Sequence, residues 1–408
     1  MSLSSFLGAV RNAINNEDGE ALRALLRFDS DAAFAVMQLA QRGAGIPVGS
    51  VHGQIRQPWA DAIVSYLQAL MYSSQGQRLA ACKEFRERHG RCLLDALKEE
   101  PWVVSAVVGM AVTLKQLSEA ADQEQAKLKG PTNQLATMAM FLQQLFSSTA
   151  AAKGAGSEPK RQAAVAIGCI MMKVYFQCNT INNCKNVINT IDGVLKNLDT
   201  APAAYRVTFR YYTGRLAAYD EDYDKADAHL TYAFENSHRD AMINKRKVLR
   251  YLIPVRMLRG ELPSDELLTT YQLREYRDIK DAVHSGDVAL LLRCLDVNQQ
   301  AFVQAGTYLL LEKLLLAVYR RLFRKVAMLH AEAQPAKAAQ VPLVALQAAL
   351  ALQGIEKDMM ELMCLVANLI YRKYIKGYLA FKARVLVLAK TDAFPNLCAV
   401  MLGDPFTL

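Results

Sequence analysis

Apolar residues recur at three- and four-residue spacing almost without a break from the start of the chain to about residue 330. "EALRALLRF", "RCLLDALKE", "AVVGMAVTLKQLSEAA" and "TNQLATMAMFLQQLF" each set their large apolar side chains on one side of a 3.6-residue turn. No convincing strand precedes residue 375. A chain patterned this way stacks helices, and its abundant alanine both favours helix and permits close helix approach. With 408 residues, 52% of them hydrophobic, it can bury a large core, as two or three domains or as one helical array with a cap. No run of 18 apolar residues is free of charge, which argues against a transmembrane helix. The start, "MSLSSFLGAVRNAINNEDGE", lacks the basic region of a signal peptide.

Helix-breaking residues punctuate the array at 42–58, at 129–131 and at 151–160, the last reading as a flexible loop. Between 205 and 234, Gly214, Tyr223, Ala226, Leu230 and Ala233 stand at the offsets that let two antiparallel helices pack closely. This is one good copy of a tetratricopeptide-like pattern, which suits an irregular solenoid better than a regular array. "YDEDYD" is the turn between the two helices, with acidic groups near the next helix N-terminus. Pro254 falls inside a helical pattern, so a kink or break is expected there. Gly260 and Pro263 stop that helix, and Ser264, Asp265 and Glu266 start another. Residues 276–329 then read as three helices, the first two parted by Ser285–Gly286–Asp287. The third, about 306–329, carries Lys313, Arg320, Arg321, Arg324 and Lys325 opposite its apolar stripe.

Past a Pro- and Ala-containing linker at 331–341 the elements shorten. "PLVALQAALAL" is a helix and "QGI" a turn. "EKDMMELMCLVANLIYRK" is a second helix, with Met360, Met363, Cys364 and Ala367 on one face. "YIKGYLAF" and "RVLVLAK" are two strands joined by a turn at Lys382 and Ala383. Helix, turn, helix and hairpin make a winged helix. The expected fold is therefore all-α: an irregular tetratricopeptide-like solenoid capped by a C-terminal winged helix. Its expected divisions are 1–200 for N-terminal repeats, 201–335 for a helical subdomain and 336–400 for the winged helix.

Charge singles out the same end. Lys and Arg outnumber Asp and Glu by 48 to 39 over the whole chain. Between Lys313 and Lys390 alone the balance is 13 to 4. Such local basicity points to a polyanionic partner. Residues 368–390 hold Arg372, Lys373, Lys376, Lys382, Arg384 and Lys390 and no acidic residue. Arg372, Lys373, Lys376, Lys382 and Arg384, with Arg320 and Arg324, are the candidates for neutralising nucleic-acid phosphates without sequence preference. Tyr371, Tyr374 and Tyr378 are interleaved with them and suited to base stacking, although strand alternation turns at least one inward.

Chemistry-bearing patterns are missing. The six histidines are scattered with no metal-binding spacing, and no P-loop, GxSxG or strand-linked GxGxxG occurs. "GAGIPVG" at 43–49 follows a helix and lacks a phosphate-binding lysine. "YDEDYD" lacks the Gly and terminal Glu of a calcium loop. The eight cysteines form no CxxC, and the closest pair, Cys178 and Cys184, has no nearby histidine, so zinc spacing fails. Most sit among apolar neighbours, Cys364 for instance, as reduced side chains do in a cytosolic or nuclear compartment. No enzyme activity, cofactor, metal or small-molecule substrate is expected.

Two strings, "NKRKVLRYLIPVRMLRGELP" and "ANLIYRKYIKGYL", set in a stretch covering about 205–397, resemble the PCI-domain family. Within it the likeness is to the branch that serves as the PCI subunit of the nuclear mRNA-export complex docked at the pore. The resemblance implies a helical solenoid ending in a winged helix, with no catalysis. It implies a scaffold partner that also carries a PCI domain, and a small acidic subunit that props the winged helix. Two winged helices side by side would then form a basic platform for RNA or DNA, in the nucleus and without contact to a membrane. The resemblance also implies that the wing edge serves in assembly, with Tyr378, Val385 and Val387, on the wing strands, as the candidates for a protein-partner surface. The alternative is a PCI subunit of a proteasome-lid or signalosome-type assembly, using the same surface for protein.

Overall fold

The computed structural model describes residues 3–30, 33–34, 46, 48–152, 157–194 and 198–397. The Gly-rich part of the 42–58 break, the middle of the 151–160 loop and Cys398 lie outside them. The chain divides into two compact units, residues 1–212 and 213–408.

In the first unit the described helices are α1 (Leu3–Asn15), α2 (Gly19–Leu25), α3 (Val48–Gln54), α4 (Trp59–Ser74), α5 (Arg78–Glu84), α6 (Gly90–Glu99), α7 (Val104–Lys127), α8 (Gln134–Ala150), α9 (Glu158–Gln177) and α10 (Asn183–Val194). The stretch 42–58, expected to be a break, thus holds a short helix. A π-helical turn, Phe85–His89, joins α5 to α6 and turns His89 into the core beside Phe85 and Tyr66. Two carboxylates on α7 hold its neighbours. Glu124 accepts from the backbone N–H groups of Arg78 and Leu79 at the start of α5, at 3.1 and 2.9 Å. Asp122 accepts from those of Gln134 and Leu135 at the start of α8, at 2.9 and 3.0 Å. Each satisfies donors that a helix start leaves without partners. The segment Pro101–Lys127 is long and apolar enough to cross a membrane, and more than half of its most apolar 18-residue stretch is buried within the unit.

Helix α11 (Ala203–Tyr219) spans the division. The second unit continues with α12 (Tyr223–Glu235), α13 (Met242–Arg259), α14 (Asp265–Thr270), α15 (Arg277–Ser285), α16 (Val288–Val297), α17 (Gln299–Ala305), α18 (Tyr308–Glu312) and α19 (Leu314–Ala333). The small-residue offsets act as their spacing implies. Ala226 and Ala233 are fully buried, and a Cβ placed on Gly214 would lie 2.8 Å from Leu230 Cγ. Asp222 caps α12 by accepting from the Lys225 N–H at 3.1 Å. Helix α13 runs through Pro254 as one helix, so of the kink or break expected there the break does not occur. It ends at Gly260, whose φ of +93° is the left-handed geometry that favours glycine. Residues 277–333 form five helices where three were expected, because turns at Asn298 and Lys313 subdivide the second and third of them.

The winged helix comprises β1 (Gln340–Pro342), α20 (Leu343–Ala351), α21 (Met359–Tyr371), β2 (Gly377–Ala380) and β3 (Val385–Leu388). Its sheet has the order β1-β3-β2, with both pairings antiparallel. Strand β1 begins in the last two residues of the expected linker and ends at Pro342, so the hairpin is part of a three-stranded sheet. A capping box starts α21: Asp358 accepts from the Glu361 N–H at 2.7 Å, and Glu361 accepts from the Asp358 N–H at 3.2 Å. Leu362, Met363, Val366 and Leu369 of α21 pack inward with Leu346, Leu350 and Leu386. Met360, Cys364 and Ala367 lie on the exposed side, so Met363 does not share their face and Cys364 is not packed among apolar residues.

Candidate nucleic-acid interface on the winged helix

Helix α21 ends in a run of exposed cations. Arg372 is its C-cap, and Lys373 follows with φ of +62°, a left-handed bend that turns the chain toward β2. The wing turn repeats the device: Lys382 and Arg384 are exposed, and Arg384 has φ of +54°. Bends of this kind are solvated, so long cationic side chains stay hydrated there at little cost. Among the described residues Arg372, Lys373, Lys382, Arg384 and Lys390 form no ion pair. Lys376 differs. Its ammonium meets Asp392 at 2.7 Å, a carboxylate 16 residues on that the acid-free stretch 368–390 did not reveal.

The three tyrosines separate by burial. Tyr374 is core, and burial pushes its phenol up to about 12. Tyr371 and Tyr378 are exposed by 61% and 63%, and Phe381 on the wing turn by 58%. Phe381 escaped the sequence reading because a lone aromatic in a turn has no periodicity to mark it.

The cations of α19 do not form a solvent-facing stripe. Lys313 pairs with Glu221 at 2.6 Å. Arg321 and Lys325 donate to the carbonyls of His284 and Ser285, at 3.0 and 2.6 Å, and so cap the C-terminus of α15. Arg320 is buried and donates to the carbonyls of Phe394 and Pro395, which corrects its reading as a nucleic-acid contact. Its burial depends on chain that returns more than 70 residues later, beyond the reach of helical periodicity. Arg324 is exposed, but on α19 and not on the winged helix.

The partner residues need one correction. Val385 and Val387 sit on β3, the central strand, so the sheet edge is not theirs. Their half-exposed side chains nonetheless share the outer face with Tyr378, which opposes Val387 across the pairing. Leu379 and Leu386 pair on the other face, with Leu386 buried. Strand β2, carrying Tyr378, is an edge of the sheet.

No family model matches the chain. Curated relatives do. "Enhanced ethylene response protein 5" of Arabidopsis thaliana is 36% identical over 300 residues, covering 73% of this chain and 71% of that protein. "PCI domain-containing protein 2" of Xenopus laevis is 31% identical over 409 residues, covering 98% of this chain and 99% of its own length. The chain belongs to the PCI domain-containing protein 2 family. The Caenorhabditis elegans homologue of that family is 41% identical over 231 residues, 56% of this chain. The chain has a helical array and a winged helix, and the cations at the end of α21 and in the wing turn are exposed with no ion pair among the described residues. Among the described residues no group of three or more His, Cys, Asp or Glu is placed to hold a metal.

Proposed function

We propose that this chain is a non-catalytic scaffold subunit of a nuclear, transcription-coupled mRNA-export complex that docks at the nuclear pore. Its winged helix supplies part of a basic platform for RNA or DNA. The observation that carries the reading is the set of four exposed cations, Arg372, Lys373, Lys382 and Arg384, with no carboxylate paired to them among the described residues. Arranged at a helix end and a wing tip, they suit phosphate contacts that fix position without reading sequence. Tyr371 and Phe381 offer rings for stacking unpaired bases. The outer sheet face of Tyr378, Val385 and Val387, next to the β2 edge, suits a scaffold subunit that also carries a PCI domain. A small acidic subunit would be the second protein partner. Arg320 is no part of this surface.

The test uses the complex purified through this chain and crosslinked to single-stranded RNA. Crosslinks are expected within 371–384. The variant Arg372→Glu, Lys373→Glu, Lys382→Glu, Arg384→Glu should keep its protein partners and lose those crosslinks. Loss of partners with crosslinks retained would overturn the reading and make the wing an assembly surface, as in a proteasome-lid or signalosome-type subunit.

A further inference from the structure

A cavity of about 470 Å³ opens beside α19, well away in sequence from the wing cations. Its size falls within the roughly 300–1,000 Å³ typical of small-molecule sites. Arg320, Arg321 and Arg324 converge on it, against apolar walls from Leu262, Val283 and Phe394. Among the described residues no Asp or Glu lines it.

Arg320 is the decisive member. It is only 6% exposed, and its Nε has no hydrogen-bond acceptor among the described residues. Its Nη2 donates to the carbonyls of Phe394, at 3.0 Å, and Pro395, which fix the guanidinium without neutralising it. Burial, then the like charges of Arg324 and Arg321, lower its pKa from the ordinary arginine value, yet a guanidinium stays protonated. Asp392, whose field reaches Arg320, is committed to Lys376 at 2.7 Å. A buried cation flanked by two more cations and facing no anion among the described residues is costly to hold. An anion of matching charge in the cavity offsets that cost.

We infer that this cavity binds a small solute carrying two or more phosphate groups. Guanidinium forks match phosphate oxygens in paired hydrogen bonds, which a compact ammonium does not. Arg324 presents a complete fork, while Arg320 and Arg321 have Nη2 and Nε engaged by backbone carbonyls and act chiefly through charge, so three positive charges around one space suit an anion with more than one phosphate group. The apolar walls limit water and strengthen each charge interaction. A nucleic-acid strand fits poorly, because its phosphates track an open groove, whereas here one of the three guanidiniums is buried.

Inorganic tripolyphosphate is the probe. Titrated calorimetrically into the full chain, it should bind, and sulfate at matched ionic strength should not. Arg324→Glu, at an exposed position that leaves the fold undisturbed, should weaken binding about tenfold or more, the loss of one charge-assisted contact. Arg321→Lys, which keeps the charge, should weaken it less. The wing variant Lys382→Glu, Arg384→Glu should bind the probe as the parent does, even where its RNA contacts are lost, so the two proposals fail separately. Equal heats with sulfate, indifference to Arg324→Glu, or displacement of the probe by single-stranded RNA would each overturn the inference.

Discussion

His89 is fully enclosed, its Nδ1–H donating to the Ala62 carbonyl at 2.8 Å and its Nε2 left without a partner. Burial lowers its pKa from 6.5 to about 4. The unfolded chain therefore takes up a proton near 6.5, while the folded chain takes none until about 4. Stability that is full above 6.5 is lost as pH falls through that window, by roughly 2–3 kcal/mol at its end. His89→Phe should lower stability at pH 7, for want of the Ala62 bond, and should flatten the decline between pH 6.5 and 4. Melting curves across that range check this, and parallel declines in parent and variant would refute it. Ala226 makes a second test. Fully buried against a neighbouring helix, its replacement Ala226→Leu should overpack and destabilise by about 1–3 kcal/mol in denaturant titration. Ala226, Gly214 and Asp222 were legible in the sequence because their roles are local, set by a pair of consecutive helices. His89 was not, since its burial comes from a π-helical turn that periodicity does not encode. Arg320 was misplaced for a related reason: helical spacing assigned it to an outer face, and returning chain at 394–395 covered it.

At the scale of elements, α21 depends on its capping box. Asp358→Ala removes the acceptor for the Glu361 N–H and leaves Glu361 without its reciprocal geometry. A loss of about 0.5–2 kcal/mol is expected, read from thermal unfolding, with Glu361→Gln nearly neutral because the amide oxygen still accepts. The winged helix was readable as helix, turn, helix and hairpin because α21 shows its helical period and β3 is a continuous apolar run. Strand β1 was unreadable. Three residues after a Pro- and Ala-containing stretch carry no alternation, and their register, Val341 opposite Leu386, exists only once β3 is in place. The same pairing moved Val385 and Val387 from the edge to the centre of the sheet. Pro254 shows the converse. A proline signals a break locally, and the buried faces on both sides of it hold α13 as one helix.

For the whole molecule, charge placement is the feature that the sequence exposed most directly, since an excess of cations between Lys313 and Lys390 needs no structure to be seen. The fold sorts that excess. Lys313, Arg321 and Lys325 serve helix ends and an ion pair, Arg320 faces a cavity, Lys376 meets Asp392, and the cations at the end of α21 and in the wing turn remain open to a partner. The central claim is that these open cations bind nucleic acid through its phosphates. The most direct measurement is the affinity of the assembled complex for single-stranded RNA across a series of salt concentrations, with the parent chain and with Arg372→Glu, Lys373→Glu, Lys382→Glu, Arg384→Glu. On a logarithmic plot each phosphate contact to a single strand contributes about −0.7 to the slope. The variant should bind more weakly and show a slope shallower by about 2–3 units, as several such contacts disappear together. A variant whose slope and affinity match those of the parent would contradict the claim.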